Sequence, residues 1–267
     1  MSLKDRLKGK LPENLLENLP EGYEELGDIA ILKLPPKLGR YGAVIAAALC
    51  GQRKNINTVL NRRTMITGEK RIPGFEILFG SRTETVHREY GYRYHVDLSK
   101  MFFNGHLSYE RQRIRLMIKP GEEIIVPFAG AGPFAVPAAA SGASVIAMDI
   151  NPCACTFCME NARLNGVQEN LHVICADALS IPLTGSCCFD RAIVPAPYGM
   201  DEILPAISST VKKGGMIHIY TFKKAGEIED LSRKYVDHGL EVLLCRRCGN
   251  VAPGVSRYVF DLKKSFS

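Results

Sequence analysis

The stretch from Glu122 to Pro152, EEIIVPFAGAGPFAVPAAASGASVIAMDINP, constrains the fold of this chain more than any other. It opens with a short apolar run, Ile124 to Phe128, of the kind that makes a buried strand. A turn of small residues follows, Ala129-Gly130-Ala131-Gly132-Pro133-Phe134, and then an Ala-rich segment to Ser141 that reads as a helix. A second apolar run, Val145 to Met148, stops at Asp149. Gly130 and Gly132 allow a ligand to approach the backbone, and the helix N-terminus offers amides. Asp149, 19 residues beyond Gly130, ends its strand where a carboxylate can bind a ribose diol. A glycine turn alone also makes ordinary structural βα corners; turn and acid together point to a nucleoside ligand.

A dinucleotide fingerprint would read G-x-G-x-x-G, but Ala135 holds the place of the third glycine and Pro133-Phe134 intervene. Ile150 is apolar and can flank an adenine, and Asp177 closes another apolar run, Leu171 to Ala176. S-adenosylmethionine has a ribose and an adenine but no phosphate. Two acids ending successive strands suit it better than a pyrophosphate cofactor.

The 267 residues are 46% apolar, enough for one sizeable core and an extra lobe. No run approaches a membrane span, and MSLKDRLKGKLPENLLENLPEG lacks a hydrophobic signal region, so the expectation is a cytoplasmic protein with no membrane contact. Net charge is +6, and cations cluster. Arg53, Lys54, Arg62, Arg63, Lys70 and Arg71 stand against Glu69 alone, and Lys100, Arg111, Arg113, Arg115 and Lys119 against Glu110 alone. Such clusters suit a polyanion, although either one singly also reads as a solvated face. Of nine cysteines, Cys155/Cys158 and Cys245/Cys248 form two C-x-x-C pairs that together could hold zinc. The first pair falls on a helix where small apolar residues pack and the second flanks Arg246-Arg247, so no metal is expected.

Residues 1–92 read as a small α+β region and a candidate RNA-binding unit, with a helix over 11–19, a strand over 27–34, an Ala-rich helix over 41–50, an extended 71–79 and a strand over 92–98. Residues 93–267 read as the cofactor-binding domain. A helix begins near Ser108 as its N-cap, and after Asp149 a helix runs to Leu164. Strands follow over 171–176 and 190–194, then a Pro-rich loop through Pro197 and Tyr198, a helix over 201–210, and a turn at Gly214-Gly215. A strand over 216–221, a helix over 225–238 and strands over 241–247 and 255–262 complete the chain. This order predicts an α/β domain with a Rossmann-like class I methyltransferase sheet, mostly parallel, with an antiparallel terminal strand.

Several segments resemble one family, the archaeal and eukaryotic transferases that use S-adenosylmethionine on the purine 3′ of the tRNA anticodon. They are Phe103-Asn104 through Glu110-Arg111, Phe128 to Phe134, Asp149-Ile150-Asn151-Pro152, Asn161-Ala162-Arg163-Leu164-Asn165, Thr83 to Gly91, and Ala252-Pro253-Gly254 before a terminal strand. One branch of that family methylates guanine N1; the other transfers the aminocarboxypropyl group to a wyosine base on the wybutosine pathway. The methylating branch usually carries an arginine where this chain has Asn104-Gly105-His106, and an asparagine where it has Val194-Pro195-Ala196-Pro197. It often has a further N-terminal domain, for which this chain is too short. These departures favour aminocarboxypropyl transfer, with guanine N1 methylation as the alternative. Both branches usually have an acid where this chain has Val126-Pro127.

The resemblance implies that Asn104 and Arg111 line the cofactor pocket, with Arg111 near the methionine carboxylate. It places Asp149 on the ribose, Asp177 and Ala178 at the adenine edge, and Gly130 and Gly132 at the backbone approach. Glu110 aligns with a general base, against a surface salt bridge; His106 is a catalytic candidate, against a loop hydrogen-bonder. Tyr198, next to Pro197, can stack on a flipped purine or cap a core. Arg62, Arg63 and Arg71 would hold phosphates of the anticodon stem-loop. No stable protein partner is implied. A nucleic-acid-binding protein with a vestigial cofactor fold is disfavoured by the Asp149/Asp177 pair, and a small-molecule methyltransferase by the basic N-terminal region.

Overall fold

The computed structural model describes residues 3–63, 74–181 and 188–265. The chain forms two compact units, Met1–Gly105 and His106–Ser267.

The first unit contains helices α1 (Leu3–Leu7), α2 (Glu13–Leu16) and α3 (Gly42–Gln52) and strands β1 (Glu24–Leu26), β2 (Ile29–Leu32), β3 (Thr58–Arg62), β4 (Phe75–Phe79), β5 (Glu84–Glu89) and β6 (Tyr92–Asp97). β1 to β4 make a sheet in chain order, with β2 and β3 parallel across the α3 crossover. Leu7, Leu32, Leu38, Ile45, Leu49 and Val59 fill its core. β5 and β6 form an antiparallel hairpin along their whole length, turning at Tyr90-Gly91, where both residues have positive φ. The expected division after residue 92 falls at that turn. The compact units divide later because Glu84↔Asp97 pairing keeps β6 with β5.

The second unit contains α4 (Ser108–Arg115), β7 (Glu123–Pro127), α5 (Ala135–Ala140), β8 (Ser144–Asp149), α6 (Pro152–Leu164), β9 (Leu171–Cys175), β10 (Phe189–Val194), α7 (Leu204–Thr210), β11 (Val211–Lys223), α8 (Ile228–Asp237), β12 (Leu240–Ala252) and β13 (Val255–Lys264). They build the seven-stranded sheet β12-β13-β11-β10-β7-β8-β9. β11, β10, β7, β8 and β9 are parallel, and β13 inserts antiparallel between β11 and β12. Parallel strands covered on both faces read as nearly continuous apolar runs, as in IIV of β7 and AIV of β10. Strand order reverses between β7 and β10, and such switch points are where open α/β sheets bind ligands.

Two local features depart from the sequence expectation. Gly214-Gly215 is not a turn but an excursion inside β11: pairing with β10 slips from Phe189↔Val211 to Arg191↔Met216. A side chain at 215 would sit 2.8 Å from the Asp190 carbonyl. Ser108 is not an N-cap but the first residue of α4, because a 3₁₀ turn, Gly105–Leu107, leads into the helix and leaves Leu107 at the cap. β12 also runs further than expected, and its pairing with β13 shifts register three times, leaving Leu243, Cys248 and Val251 as extra residues.

A line of buried charges crosses the second unit. Arg191 forms a fork on Glu122, with Nε 2.7 Å from Oε2 and Nη2 3.0 Å from Oε1. Its Nη1 donates to His218 Nε2 at 2.6 Å, and His218 Nδ1 donates to Asp261 Oδ1 at 2.6 Å. Asp261 accepts two bonds from Arg113, which also bonds Glu110 at 3.1 Å. Arg246 and the Tyr220 hydroxyl complete Glu110. Between two such neighbours His218, fully buried, is neutral, and burial lowers its pKa against the pull of Asp261. Burial alone would raise the Asp261 carboxyl, but hydrogen bonds from His218 and Arg113 hold it at about 2.

Both groups bind protons more readily in the unfolded chain, so stability falls with pH. The loss begins below about pH 6.5 through His218 and continues below about pH 4 as Asp261 is titrated, the latter contributing roughly 2 kcal/mol. Urea titrations from pH 7 to pH 3 should show this decline. Asp261→Asn should lower stability at pH 7 by about 3 kcal/mol and flatten the acid limb. An equally steep acid limb in the variant would contradict the assignment.

Candidate active site

The C-terminal ends of β7, β8 and β9 bring together Gly130, Gly132, Asp149, Ile150, Asp177 and Ala178. The backbone leaves β7 through a left-handed residue, Phe128 (φ 55), followed by Gly130 (φ 56) and Gly132 (φ 84). A bulky side chain at positive φ is strained and needs surrounding structure to hold it there. Here that structure includes the Asp149 carboxylate, which accepts the Gly130 amide at 2.8 Å and the Asn151 amide at 2.9 Å. A carboxylate oxygen accepts up to two hydrogen bonds, so turn amides and ribose hydroxyls can share it. Gly132 has a packing reason of its own, since a Cβ there would lie 2.8 Å from the Cys158 sulfur on α6.

Two asparagines fix the surroundings. Asn151 caps α6 by accepting the Cys153 amide at 3.0 Å, ahead of Pro152 in the first helical position. Asn161, fully buried, donates to the Ala131 carbonyl at 3.0 Å and so ties α6 to the glycine turn. Asp177 accepts the Leu179 amide at 3.0 Å and caps the 3₁₀ turn Ala178–Ser180. Ala178 is buried, while Ile150 is 39% exposed, an apolar surface beside Asp149.

α4 contributes two buried charged residues, Glu110 and Arg111. The Arg111 guanidinium lies 5.9 Å from the centre of the Phe134 ring, which in turn lies 5.2 Å from Tyr220. Glu110 accepts bonds from Arg113, Arg246 and Tyr220, so its ion pairs are interior ones rather than surface salt bridges. His106 is exposed in the 3₁₀ turn before α4. Asn104, half-buried, belongs to the end of the first unit. Pro197 is buried after β10, and Tyr198 is 69% exposed with its ring 5.8 Å from Phe222.

The first unit's arginines are largely paired within their own sheet. Arg62 of β3 bonds Glu24 of β1 at 3.0 Å, and Arg63 forms a fork on Glu76 of β4. Arg53 faces Glu25 at 3.6 Å, and Arg71 lies outside the described residues. Arg63 is the more exposed of the first pair.

Sequence reasoning missed Phe134, Arg113, His218, Tyr220, Arg246 and Asp261 as supports of the site. The alternation His218-Ile219-Tyr220-Thr221-Phe222 carries a signal, three polar or aromatic side chains on one strand face. Among the described residues no group of three or more His, Cys, Asp or Glu side chains could hold a metal. No described helix is long and apolar enough to cross a membrane. A cleft of about 560 Å³ near Ala225, Arg247 and Tyr258 contains none of the candidate site residues.

This strand order, with a glycine turn after β7 and an acid ending β8, is that of a class I S-adenosylmethionine-dependent methyltransferase fold. The donor set fits that cofactor: an anchored acid at the end of β8, an exposed apolar neighbour, a second acid one strand away and a turn open to close approach. Residues 85–241 match the TRM5/TYW2 methyltransferase domain and residues 3–83 the TYW2 N-terminal domain; the chain belongs to the TRM5/TYW2 family. It is 34% identical over 265 residues to the tRNA (guanine(37)-N(1))-methyltransferase Trm5b of Pyrococcus abyssi, covering 96% of this chain and 78% of that protein. It is 32% identical over 269 residues to the tRNA(Phe) (4-demethylwyosine(37)-C(7)) aminocarboxypropyltransferase of Pyrococcus horikoshii, covering 98% and 95%. The structure superposes on aTrm5 from its complex with tRNALeu with a TM-score of 0.88 at 28% identity, covering 99% and 78% of the two chains. It superposes on P. horikoshii TYW2 in complex with MeSAdo with a TM-score of 0.80 at 30% identity, covering 98% and 97%.

Asp149→Asn keeps the size of the side chain but replaces one acceptor with a donor. The variant should stay folded, melt a few degrees lower because a turn amide loses its partner, and bind the cofactor roughly a hundredfold more weakly by calorimetry. Unchanged affinity in a folded variant would remove Asp149 from the ribose.

Proposed function

We propose that this chain is a tRNA-modifying transferase that moves the 3-amino-3-carboxypropyl group of S-adenosylmethionine to a wyosine-type base at position 37 of tRNA(Phe), in the cytoplasm. The observation that carries this choice is the pair of loops Asn104-Gly105-His106 and Val194-Pro195-Ala196-Pro197. They lack the arginine and asparagine expected where a guanine edge is held for methylation. The match of residues 3–83 to the TYW2 N-terminal domain supports the same branch.

When bound, S-adenosylmethionine supplies a sulfonium with three electrophilic carbons. Which carbon meets the base is decided by how this chain orients the methionine arm, because displacement requires an in-line approach at contact distance. Arg111, buried and stacked on Phe134, is the cation assigned to the carboxylate of that arm. Glu110 acts through its protein partners: held by Arg113, Arg246 and Tyr220, it fixes the register of α4 and therefore of Arg111. His106, exposed ahead of α4, takes the proton released when a ring carbon of the base is substituted. Asp149, Ile150, Asp177 and Ala178 hold the nucleoside, and Pro197 and Tyr198 meet the extruded purine. Arg63 and Arg71 contact stem phosphates, with Arg62 serving its sheet through Glu24.

A second reading, guanine N1 methylation, is favoured by the 34% identity to Trm5b. Chromatography of the by-product separates the two. Methylthioadenosine and an aminocarboxypropyl mass gain on tRNA carrying the wyosine precursor are expected; adenosylhomocysteine with unmodified tRNA would restore the methylating reading. Arg111→Ala should lower the turnover rate roughly a hundredfold while weakening cofactor binding much less. Equal losses in both would reduce Arg111 to an anchor.

A further inference from the structure

The sheet face that carries α4 changes character along β11 and β13. Cross-strand partners share a face, and three successive pairs lie there: His218↔Asp261, Tyr220↔Val259 and Phe222↔Arg257. The first belongs to the buried ion chain, and the second stands behind Glu110. The third reaches the C-terminal end of β11 and is only half-buried. There the Arg257 guanidinium lies 4.7 Å from the centre of the Phe222 ring, and Tyr198 approaches the same ring from the loop after β10. Beside it, Arg246 of β12 lies 5.0 Å from the centre of the Tyr109 ring on α4. Tyr109 is 60% exposed and Tyr198 69%.

Scattered exposed aromatics need no explanation. Three aromatic rings layered with two guanidinium planes at the catalytic edge of the sheet are a different matter. Packing does not require Tyr109 or Tyr198 to stay wet; the Tyr109 ring lies beside a cation, and the Tyr198 ring lies against Phe222, which carries one. Unstacked bases bind to such surfaces, stacking on aromatic and guanidinium planes while the cations meet the backbone. An acidic peptide would use the cations but leave the exposed rings without a role.

Resting on the tRNA reading above, we propose that Tyr109, Arg246, Arg257 and Phe222, next to Tyr198 at the extruded purine, form a stacking shelf for the unpaired nucleotides that flank the modified purine. Extruding one base from the anticodon loop strips its neighbours of a stacking partner, and the shelf replaces it. Its role is therefore in RNA affinity and in the choice of single-stranded context, not in cofactor binding.

The test uses an anticodon stem-loop with 2-aminopurine in place of the nucleotide 3′ to the target purine. Binding to the full-length protein should quench its fluorescence. Tyr109→Ala and Arg257→Gln should each abolish most of the quench and weaken RNA binding by about tenfold, leaving cofactor affinity unchanged as the check on folding. Arg257→Lys, which keeps the charge but not the plane, should retain the salt dependence of binding and still lose quench. Full quench in Tyr109→Ala and Arg257→Gln, with RNA bound and modified, would overturn the shelf and leave the tRNA reading standing. Failure of the unaltered protein to bind any stem-loop at low salt, with cofactor bound normally, would overturn both. Equal displacement of the stem-loop by an acidic peptide of the same charge would assign the patch to peptides instead.

Discussion

The catalytic half of this molecule depends on a row of ionic groups whose middle members, Arg191, His218, Asp261 and Glu110, are buried. Glu122, Arg191, His218, Asp261, Arg113, Glu110 and Arg246 succeed one another as acid, base, neutral imidazole, acid, base, acid, base. A buried ion is tolerable only when its neighbours return what desolvation costs, and each interior member has a partner on both sides. The row runs from the threshold of β7 through β10, β11 and β13 to α4, then out to β12. Arg191 also donates to the Met117 carbonyl at 3.1 Å, which fixes the segment after α4. The helix bearing Arg111 is thus set by electrostatics across five strands as much as by its own apolar contacts. Among the latter, Ile114 is buried.

Much of the second unit was legible because parallel strands buried on both faces announce themselves. Ile124-Ile125-Val126, Val145-Ile146-Ala147 and Ala192-Ile193-Val194 are short apolar runs separated by helical or turn-rich segments. The place of Asp149 at the end of its strand was legible because the apolar run before it stops there. The first unit was harder. β1 (EEL), β3 (TVLNR) and β5 (ETVHRE) are short and mix charge with apolar residues, so neither period stands out. The pairing of Arg62 with Glu24 and of Arg63 with Glu76 was invisible for the same reason: Glu76 lies on β4 beside β3 and Glu24 on β1, across β2, an arrangement that only the strand order reveals. The surroundings of Glu110 were not legible: between a general base and a surface salt bridge SYERQRIR does not choose, and the partners that bury its acid, Tyr220 and Arg246, lie more than a hundred residues downstream.

The glycine turn was read as a space for a ligand, and the structure adds that the protein's own hydrogen bonds hold it in shape. Phe128 and Gly130 hold left-handed backbone, and Asp149 and Asn161 hold the turn from the strand and helix beyond it. A site whose backbone is already ordered loses little conformational freedom on binding. The same arrangement gives Asp149 a structural task in the turn besides the ribose contact proposed for it. Its substitution therefore cannot be purely a binding defect.

The shifts of register along β12 bear on a different matter. An open sheet edge is a row of unpaired amides and carbonyls, a template on which another chain can grow. β12 is such an edge, a strand of 13 residues with β13 as its one ladder partner in the sheet order. The extra residues Leu243, Cys248 and Val251 break its outward face into short, twisted lengths that a straight strand cannot follow. Exposed Arg247 adds charge in the middle. Irregularity that looks like imperfect pairing is thus a guard against filament-like growth. It keeps a long, partly apolar hairpin soluble without covering it.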